Sequence, residues 1–157
     1  MATYGYNRGR FDDIGSNGEP QEFGGNRFRL SPDHTVSVGA NYEFSTPIGD
    51  AFIAPNYSYQ SRVFFEDENQ EAFNIVTADT GALLASVPAF AQDGYGVVNL
   101  RAGLHINNGA VSINAYVQNL LNQDYVIDAG NLGGDFGIPT FIAGPPRFFG
   151  GSVAVQF

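Results

Sequence analysis

Apolar side chains alternate with polar or small ones along much of the chain. In the last segment, Phe149, Gly151, Val153, Val155 and Phe157 alternate with Phe148, Gly150, Ser152, Ala154 and Gln156. Because successive side chains of a β-strand point to opposite faces, this two-residue period predicts a strand with one apolar face. The same period recurs in residues 35–44, 98–106 and 111–118, and more weakly in 2–11 and 52–65. The pattern therefore predicts six strands.

The connections between these segments alternate between short and long. Residues 46–50 and 107–109 are tight and rich in turn-forming Pro, Gly, Asp and Asn, whereas 12–34, 66–93 and 121–146 are long. Membrane barrels with short periplasmic turns and long extracellular loops have this order. Strands of about 10 residues, at ~3.3 Å per residue and ~45° tilt, cover about 25 Å, the height of an outer-membrane apolar band. The sequence predicts an all-β fold, an antiparallel transmembrane β-barrel segment of about six strands.

The amino-acid composition argues against several classes of function. The net charge is -9, and the seven basic residues are all arginines, which argues against nucleic acid as a partner. The absence of Cys excludes disulfides, thiolate metal sites and a Cys nucleophile. No apolar run approaches the roughly 18 residues of a membrane helix. Of 16 acidic residues, only Glu43 and Asp50 lie outside the long segments and their edges. Met1 is followed by a strand-like segment without the regions of a signal peptide, so secretion requires a further N-terminal part.

Three blocks of sequence resemble the late strands of TonB-dependent receptors, the ligand-gated importers of Gram-negative outer membranes. The blocks are YGVVNLRAG at 95–103, VQNLLNQDY at 117–125 and PPRFFGG at 145–151. The resemblance covers nearly the whole chain and implies that residues 1–157 are the C-terminal part of a receptor β-barrel, without the plug domain and the earlier strands. It further implies outer-membrane location, no cofactor, and energised uptake of ferric siderophores, cobalamin or glycans, with ligand bound by outer loops and plug and energy supplied by the TonB complex.

Within these blocks, polar and aromatic residues mark the outer ends of strands. Asn119 and Asp124 suit the wet side of the membrane boundary, and Tyr125 suits the interfacial aromatic girdle. Pro145 and Pro146 cannot donate ladder hydrogen bonds, so they must precede the paired part of the last strand. Arg147 is then expected at the outer rim. The Gly150–Gly151 pair predicts a place where the strand coils sharply or where a neighbouring side chain covers the backbone.

The end of the chain is a candidate assembly signal. Val153, Val155 and the terminal Phe157 resemble the C-terminal signal that the outer-membrane assembly machinery reads, which recruits the last strand by edge pairing. The competing interpretation is that any buried last strand can end in Phe. As membrane-facing residues, they would also contact outer-membrane lipid.

Candidate ligand-binding residues are few. Asn99, Arg101 and His105 share the polar side of one predicted strand and are weak candidates, because any lumen wall needs polar residues. His34 is expected at a membrane interface. The acidic stretch 66–71 lacks the Asp-x-Asp-x-Asp-Gly spacing of a calcium loop, which favours a solvated loop. No GxSxG, phosphate-loop, HExxH or Cys-His pattern is present, so the sequence predicts no enzyme.

Two features of the sequence fit more than one structure. A small soluble β-barrel or sandwich that binds an apolar ligand would show the same alternation, but it would hide Val153, Val155 and Phe157 inside. The apolar segment 81–91 falls in a predicted extracellular loop. It either folds inward over the lumen, forms a short helix, or extends a strand above the membrane.

Overall fold

The computed structural model describes residues 1–88, 90–107, 109–129 and 140–156. Its strands, in chain order, are β1 (Ala2–Tyr6), β2 (His34–Gly39), β3 (Tyr42–Thr46), β4 (Gly49–Gln60), β5 (Val63–Phe64), β6 (Ala72–Val76), β7 (Leu83–Pro88), β8 (Ala91–Gln92), β9 (Tyr95–Ile106), β10 (Val111–Gln118), β11 (Val126–Ala129), β12 (Phe141–Ala143) and β13 (Phe148–Val155). Within these ranges no helix has the length and apolarity to cross a membrane.

The main sheet is an antiparallel meander in which neighbours in sequence are neighbours in space. Its order is β1-β2-β4-β9-β10-β13, and β3 also pairs with β4. Since β2 and β3 lie along the same partner, they occupy one strand position, and the sheet has the six positions that the alternation predicts. The break between β2 and β3 lies opposite Ala54 and Pro55 of β4. Pro55 has no N–H to donate, which explains the gap in the ladder.

The bounds of two strands differ most from the prediction. We expected the first strand to run over 2–11, but β1 ends at Tyr6, because its partner segment contains Pro32 just before β2. We expected the third strand over 52–65, but β4 runs from Gly49 to Gln60. The turn before it is tighter than expected, with Thr46 paired to Gly49.

Cross-strand register divides the sheet into two faces. On the side that we call the apolar face, Val153 lies opposite Ile113, and Ile113 lies opposite Leu104. This face is the one predicted from the alternation, and it carries no Asp, Glu, Lys or Arg. Its strand residues are Ala2, Tyr4, Tyr6, His34, Val36, Val38, Tyr42, Phe44, Thr46, Gly49, Ala51, Ile53, Pro55, Tyr57, Tyr59, Gly96, Val98, Leu100, Ala102, Leu104, Ile106, Val111, Ile113, Ala115, Val117, Phe149, Gly151, Val153 and Val155.

The other side, the polar face, bears hydroxyl, amide and charged groups. Asn99 lies opposite Asn56, and His105 lies between Asp50 and Ser112. Aromatic rings cover glycines here: a Cβ built on Gly150 would lie 2.6 Å from the Tyr116 hydroxyl oxygen. A neighbouring side chain therefore covers the backbone at Gly150, as the sequence predicts.

The long connections pack together at one end of the sheet, which we call the loop end; the opposite end, with the short turns, is the turn end. The connections between strands of the main sheet span residues 7–33, 61–94 and 119–147. They contain three two-stranded sheets, β5-β8, β6-β7 and β11-β12. Val63, Phe65 and Ala129 form the buried core of this loop cluster, with Val126 packed against them.

In its described residues the apolar segment 81–91 forms strands rather than a helix. Most of it is β7, which pairs with β6 as an antiparallel hairpin, and β8 follows and pairs with β5. Because β5 follows β4 and β8 precedes β9, these short strands continue the direction of the main sheet beyond its loop end. Leu83 and Leu84 are exposed on this hairpin.

Candidate functional site

The three predicted ligand residues share a face but not a site. Asn99, Arg101 and His105 all lie on the polar face of β9, as expected. Asn99 and His105 lie six residues apart on this strand, which is about 20 Å at ~3.3 Å per residue. The structure therefore separates His105 from the other two, whereas Asn99 and Arg101 line a common hollow.

His105 belongs to a small polar group at the turn end. Its Nδ1 lies 3.0 Å from the Ser112 hydroxyl, and its ring stacks on Phe52 with centroids 5.9 Å apart. On the neighbouring strand, Asp50 accepts a 2.8 Å hydrogen bond from Ser45. Within the described residues, no group of three or more His, Asp and Glu side chains is arranged to hold a metal ion.

Asn99 lies at the loop end, beside an open groove. The rings of Tyr95 and Tyr125 stack there with centroids 4.3 Å apart. The groove is lined by uncharged residues that include Thr35, Ser37, Ser58, Gln60, Tyr95, Asn99, Gln118 and Tyr125. Most of these were missed by sequence reasoning, because only the cross-strand register brings residues from β2, β4, β9 and β10 together.

Arg101 occupies the middle of β9 and lines a second hollow. Asn56, Asn99, Tyr116 and Gln118 share the lining with it. Tyr116 is its direct partner across β10. The ion pairs found between described residues involve Arg10, Arg27 and Arg62 and do not include Arg101.

Asn119 differs from its prediction as a residue suited to water. Its side chain is buried, with 3% exposure. The amide nitrogen donates to the carbonyl oxygens of Gln123 and Pro145 at 2.9 and 3.0 Å, and the amide oxygen accepts from the Gln123 N–H at 2.8 Å. Its own backbone N–H donates to the Asn99 side chain at 3.0 Å. Asn119 thus joins the ends of β9 and β10 to the segment that precedes β13.

The remaining predicted rim residues surround this network. Pro146 precedes the first paired residue of β13, as expected. The Arg147 N–H donates to the Asn122 side chain at 3.1 Å, and its guanidinium lies 3.4 Å from the Leu120 carbonyl oxygen. Tyr125, which we expected in an interfacial girdle, stacks on Tyr95 beside the polar groove.

Aromatic residues do occupy the apolar face at its loop end. The Tyr4 hydroxyl lies 2.8 Å from the His34 ring nitrogen Nδ1; Tyr4 stacks with that ring, and the Tyr6 ring is tilted against it. His34 is exposed and is the first residue of β2. Its location at a membrane interface stays a prediction.

Hydrogen bonds and ion pairs link the long connections. Asn69 accepts from the Arg27 N–H at 2.7 Å and donates to the Arg27 carbonyl oxygen at 2.9 Å. Arg62 pairs with Glu71 at 2.7 Å and with Asp93 at 3.1 Å. The acidic stretch at 66–71 therefore takes part in contacts within and between the loops.

One carboxyl of this stretch, Glu66, has a perturbed acidity. Burial raises the pKa of Glu66 above its ordinary value, and the nearby Glu68 carboxylate raises it further. The Arg29 guanidinium opposes the shift, and Asp128 adds to it from the third connection. Charge thus couples all three loops at this point.

The last strand presents its apolar side chains outward. Val153 and Val155 are 68% and 53% exposed, and no other described segment covers them. This exposure is the opposite of what a soluble barrel with an apolar interior requires. The edge of β13 away from β10 has no partner strand among the described residues. Phe157 lies outside the described residues.

This chain aligns with part of several solved receptor structures. The ferric yersiniabactin uptake receptor of Yersinia pestis aligns with 86% of this chain at a TM-score of 0.67 and 17% identity. The ferric preacinetobactin receptor of Acinetobacter baumannii aligns with 83%, at 0.58 and 17%. The ferripyoverdine receptor of the outer membrane of Pseudomonas aeruginosa, bound to ferripyoverdine, aligns with 88%, at 0.54 and 16%. The aligned parts are 18%, 16% and 15% of those chains, so this chain spans less than a fifth of each.

The likeness to these structures establishes an outer-membrane β-barrel fold. No curated protein sequence matches this chain. The family model described as TonB-dependent receptor-like β-barrel matches residues 1–120, which is more than half of the sequence. The chain belongs to the β-barrel family of TonB-dependent receptors.

Proposed function

We propose that this chain is the C-terminal part of the barrel of an outer-membrane receptor, and that it supplies wall and three outer loops for the TonB-energised uptake of a ferric siderophore. Receptors of this family are transporters rather than enzymes. The observation that carries the proposal is the sheet with one uncharged apolar face and one polar face. The solved receptors that it resembles are named for ferric chelates, which is why we favour iron over cobalamin or glycans.

In this proposal each face has a different solvent. The apolar face contacts outer-membrane lipid, and the polar face lines the lumen, because backbone groups in lipid must be satisfied within a closed barrel. The turn end is periplasmic and the loop end extracellular. The TonB complex acts through other parts of the receptor.

Uptake of radioactive iron tests the proposal. Cells that express the receptor containing this chain should accumulate iron from a ferric siderophore, and deletion of the TonB protein should abolish accumulation. The receptor should fractionate with outer membranes and show heat-modifiable migration. Recovery in the soluble fraction would contradict the proposal. Accumulation of cobalamin or a glycan instead of iron would show that the ferric siderophore is the wrong ligand.

The last strand has its own part in the proposal, as the segment that the assembly machinery recognises. Exposed Val153 and Val155, together with an edge that has no described partner, support this role. Replacing Phe157→Ser should lower the fraction of receptor that reaches the heat-modifiable form. Gln156→Ser is the matched control, because it changes the neighbouring residue without altering the apolar side chains. Equal assembly of both variants would contradict the role.

A further inference from the structure

Arg101 places a permanent positive charge in the middle of the polar face. Guanidinium groups stay protonated in proteins and present five N–H donors. Arg101 lies opposite Ala54 on β4 and opposite Tyr116 on β10, so neither direct cross-strand neighbour carries a negative charge. Arg101 is exposed on this face, so an anion from beyond these two neighbours can reach its guanidinium.

The carboxylates of the polar face lie too far along the sheet to balance this charge. Asp50 lies opposite His105, four residues from Arg101 on β9, which corresponds to about 13 Å along the strand. Glu43 lies opposite Phe52, on the far side of β4 from β9. Neither forms an ion pair with Arg101, and no other described carboxylate does.

Two amide groups near Arg101 can add N–H donors to its guanidinium. Asn99 uses its amide oxygen to accept from the Asn119 N–H, which leaves its NH₂ group to donate. Gln118 is exposed in the same hollow and has a second amide. A charged fork with adjacent amide donors matches the acceptor oxygens of a carboxylate or phosphate.

We propose that Arg101, with Asn99 and Gln118, forms an anion-binding subsite on the wall of the lumen. The subsite takes a carboxylate or phosphate group, and it rests on the proposed function because that proposal makes the polar face a lumen wall. The anion has two possible sources: the transported ligand, or an acidic side chain from another part of the receptor that enters the lumen.

Cysteine labelling measures the local potential without knowledge of the ligand. The chain contains no Cys, so Gln118→Cys introduces one reporter thiol beside Arg101. In isolated outer membranes that contain the whole receptor, its reaction rates with a sulfonate-bearing and a trimethylammonium-bearing methanethiosulfonate are compared. One unit charge at about 7 Å changes each rate roughly threefold in opposite directions, so Arg101→Gln should lower the anion-to-cation rate ratio about 5- to 10-fold.

Two further variants show that the effect belongs to the charge at this position. Arg101→Lys should keep most of the ratio, because it keeps the charge. A reporter thiol from Ser45→Cys, near the turn end, should give the same ratio with Arg101 and with Arg101→Gln, since the two positions are farther apart than the screening length of about 8 Å at 0.15 M salt. The receptor without either new thiol supplies the background.

The same measurements separate the two sources of the anion. If the ligand supplies it, 10 mM sodium citrate or phosphate should slow the anionic reagent at Gln118→Cys only when Arg101 is present. If the receptor supplies it, the charge of Arg101 is already neutralised, so the 5- to 10-fold change does not apply: Gln118→Cys should resist both reagents until Arg101→Gln is introduced, and that substitution should lower the temperature of heat-modifiable unfolding. The subsite would be overturned if Arg101→Gln changed neither labelling nor unfolding temperature, or if it changed the rate ratio alone while citrate and phosphate had no effect. Failure of iron uptake would overturn the proposed function without changing the labelling ratio.

Discussion

Large apolar side chains are exposed across the sheet, whereas the loop cluster buries a few of them in a small core. Phe149 and Val153 on β13 are 80% and 68% exposed, whereas Val63 and Phe65 in the loop cluster are 3% and 2% exposed. The hydrophobic effect stabilises the buried core of the loop cluster, because removal of apolar surface from water contributes roughly 25 cal/mol per Å². The first arrangement is stable only where the surrounding solvent is itself apolar. The proposed function therefore places lipid around the sheet and water around the loop cluster.

The forces that hold each region differ accordingly. If the sheet lies in lipid, as proposed, burial contributes little to it, because lipid is as apolar as the side chains it meets, and the long ladders of backbone hydrogen bonds hold the sheet together. The loop cluster has only short ladders, such as the two pairs of β5 with β8, and depends on its small core and on side-chain hydrogen bonds. Substitutions should therefore have opposite consequences in the two regions.

The largest effect is expected from Phe65→Ala in the loop cluster. Removal of a buried Phe costs about 3–5 kcal/mol through lost transfer energy and the cavity left behind. We expect the loops of the receptor to become sensitive to protease on whole cells, while the barrel still migrates as the heat-modifiable form. Leu84→Ala is the matched control, since Leu84 is 65% exposed and its truncation should leave the loops protected. Loss of the folded barrel in Phe65→Ala would show that the two regions are not separate.

A slightly smaller effect is expected when a charge is placed on the apolar face. Ala115 lies in the middle of β10 and faces outward, and its neighbour Asn114 faces the polar side. An Arg on the lipid face near the bilayer centre costs about 2–4 kcal/mol. Ala115→Arg should lower the free energy of unfolding in lipid vesicles by that amount, and Asn114→Arg should lower it by far less. Equal losses would mean that the apolar face does not contact lipid.

The sheet was predictable from sequence because its side-chain period is a local property of the chain. Each strand has two faces of different polarity, so the number of strands and the position of Val153 follow from the alternation alone. The failures occur where a partner strand intervenes. β1 ends early because of Pro32 in its neighbour, and β2 separates from β3 opposite Pro55 of β4. The alternation of the interrupted strand shows neither break, because each proline lies in the partner segment.

A third, smaller effect concerns the link between the strands and the loops. Asn119→Leu leaves the Gln123 N–H and two carbonyl oxygens without their partner, at about 1–3 kcal/mol for buried groups. Asn119 also has a positive φ of 50°. Asn119→Gly removes the same hydrogen bonds but adopts this conformation freely. Unfolding of both variants in urea should show Asn119→Leu as the less stable, and a loss confined to Asn119→Leu would mean that the bonds contribute nothing.

The candidate sites were less predictable than the sheet, because they depend on contacts between distant segments. Asn119 is a polar residue that the sequence assigns to the solvent side. Its side chain is instead buried and donates to the carbonyl oxygen of Pro145, which lies 26 positions later in the chain. The Tyr95 and Tyr125 rings meet only because β9 and the segment after β10 share the loop end. The alternation did place Asn99, Arg101 and His105 on one face, but it contained no information on their neighbours across the sheet.

The smallest expected effect is a pH dependence confined to the loop cluster. The folded pKa of Glu66 is raised above its ordinary value by burial, by Glu68 and by Asp128, although Arg29 opposes the shift. A carboxyl whose folded pKa is raised favours the folded cluster when it is protonated. This contribution is fully present below the ordinary pKa of 4.5 and is lost as the pH rises through the higher folded pKa.

Glu66→Gln should remove this pH dependence. At neutral pH the variant loops should resist protease slightly better than the original ones, because Gln needs no proton to be neutral, and the advantage should disappear towards pH 4. Glu71→Gln is the matched control: Glu71 pairs with Arg62 and its side chain is 64% exposed, so its loss should bring no gain at neutral pH. If Glu66→Gln changed the pH dependence of the barrel's unfolding in lipid, Glu66 would act on the sheet as well. We expect that dependence to be the same in both proteins, because Glu66 lies outside the strands of the main sheet.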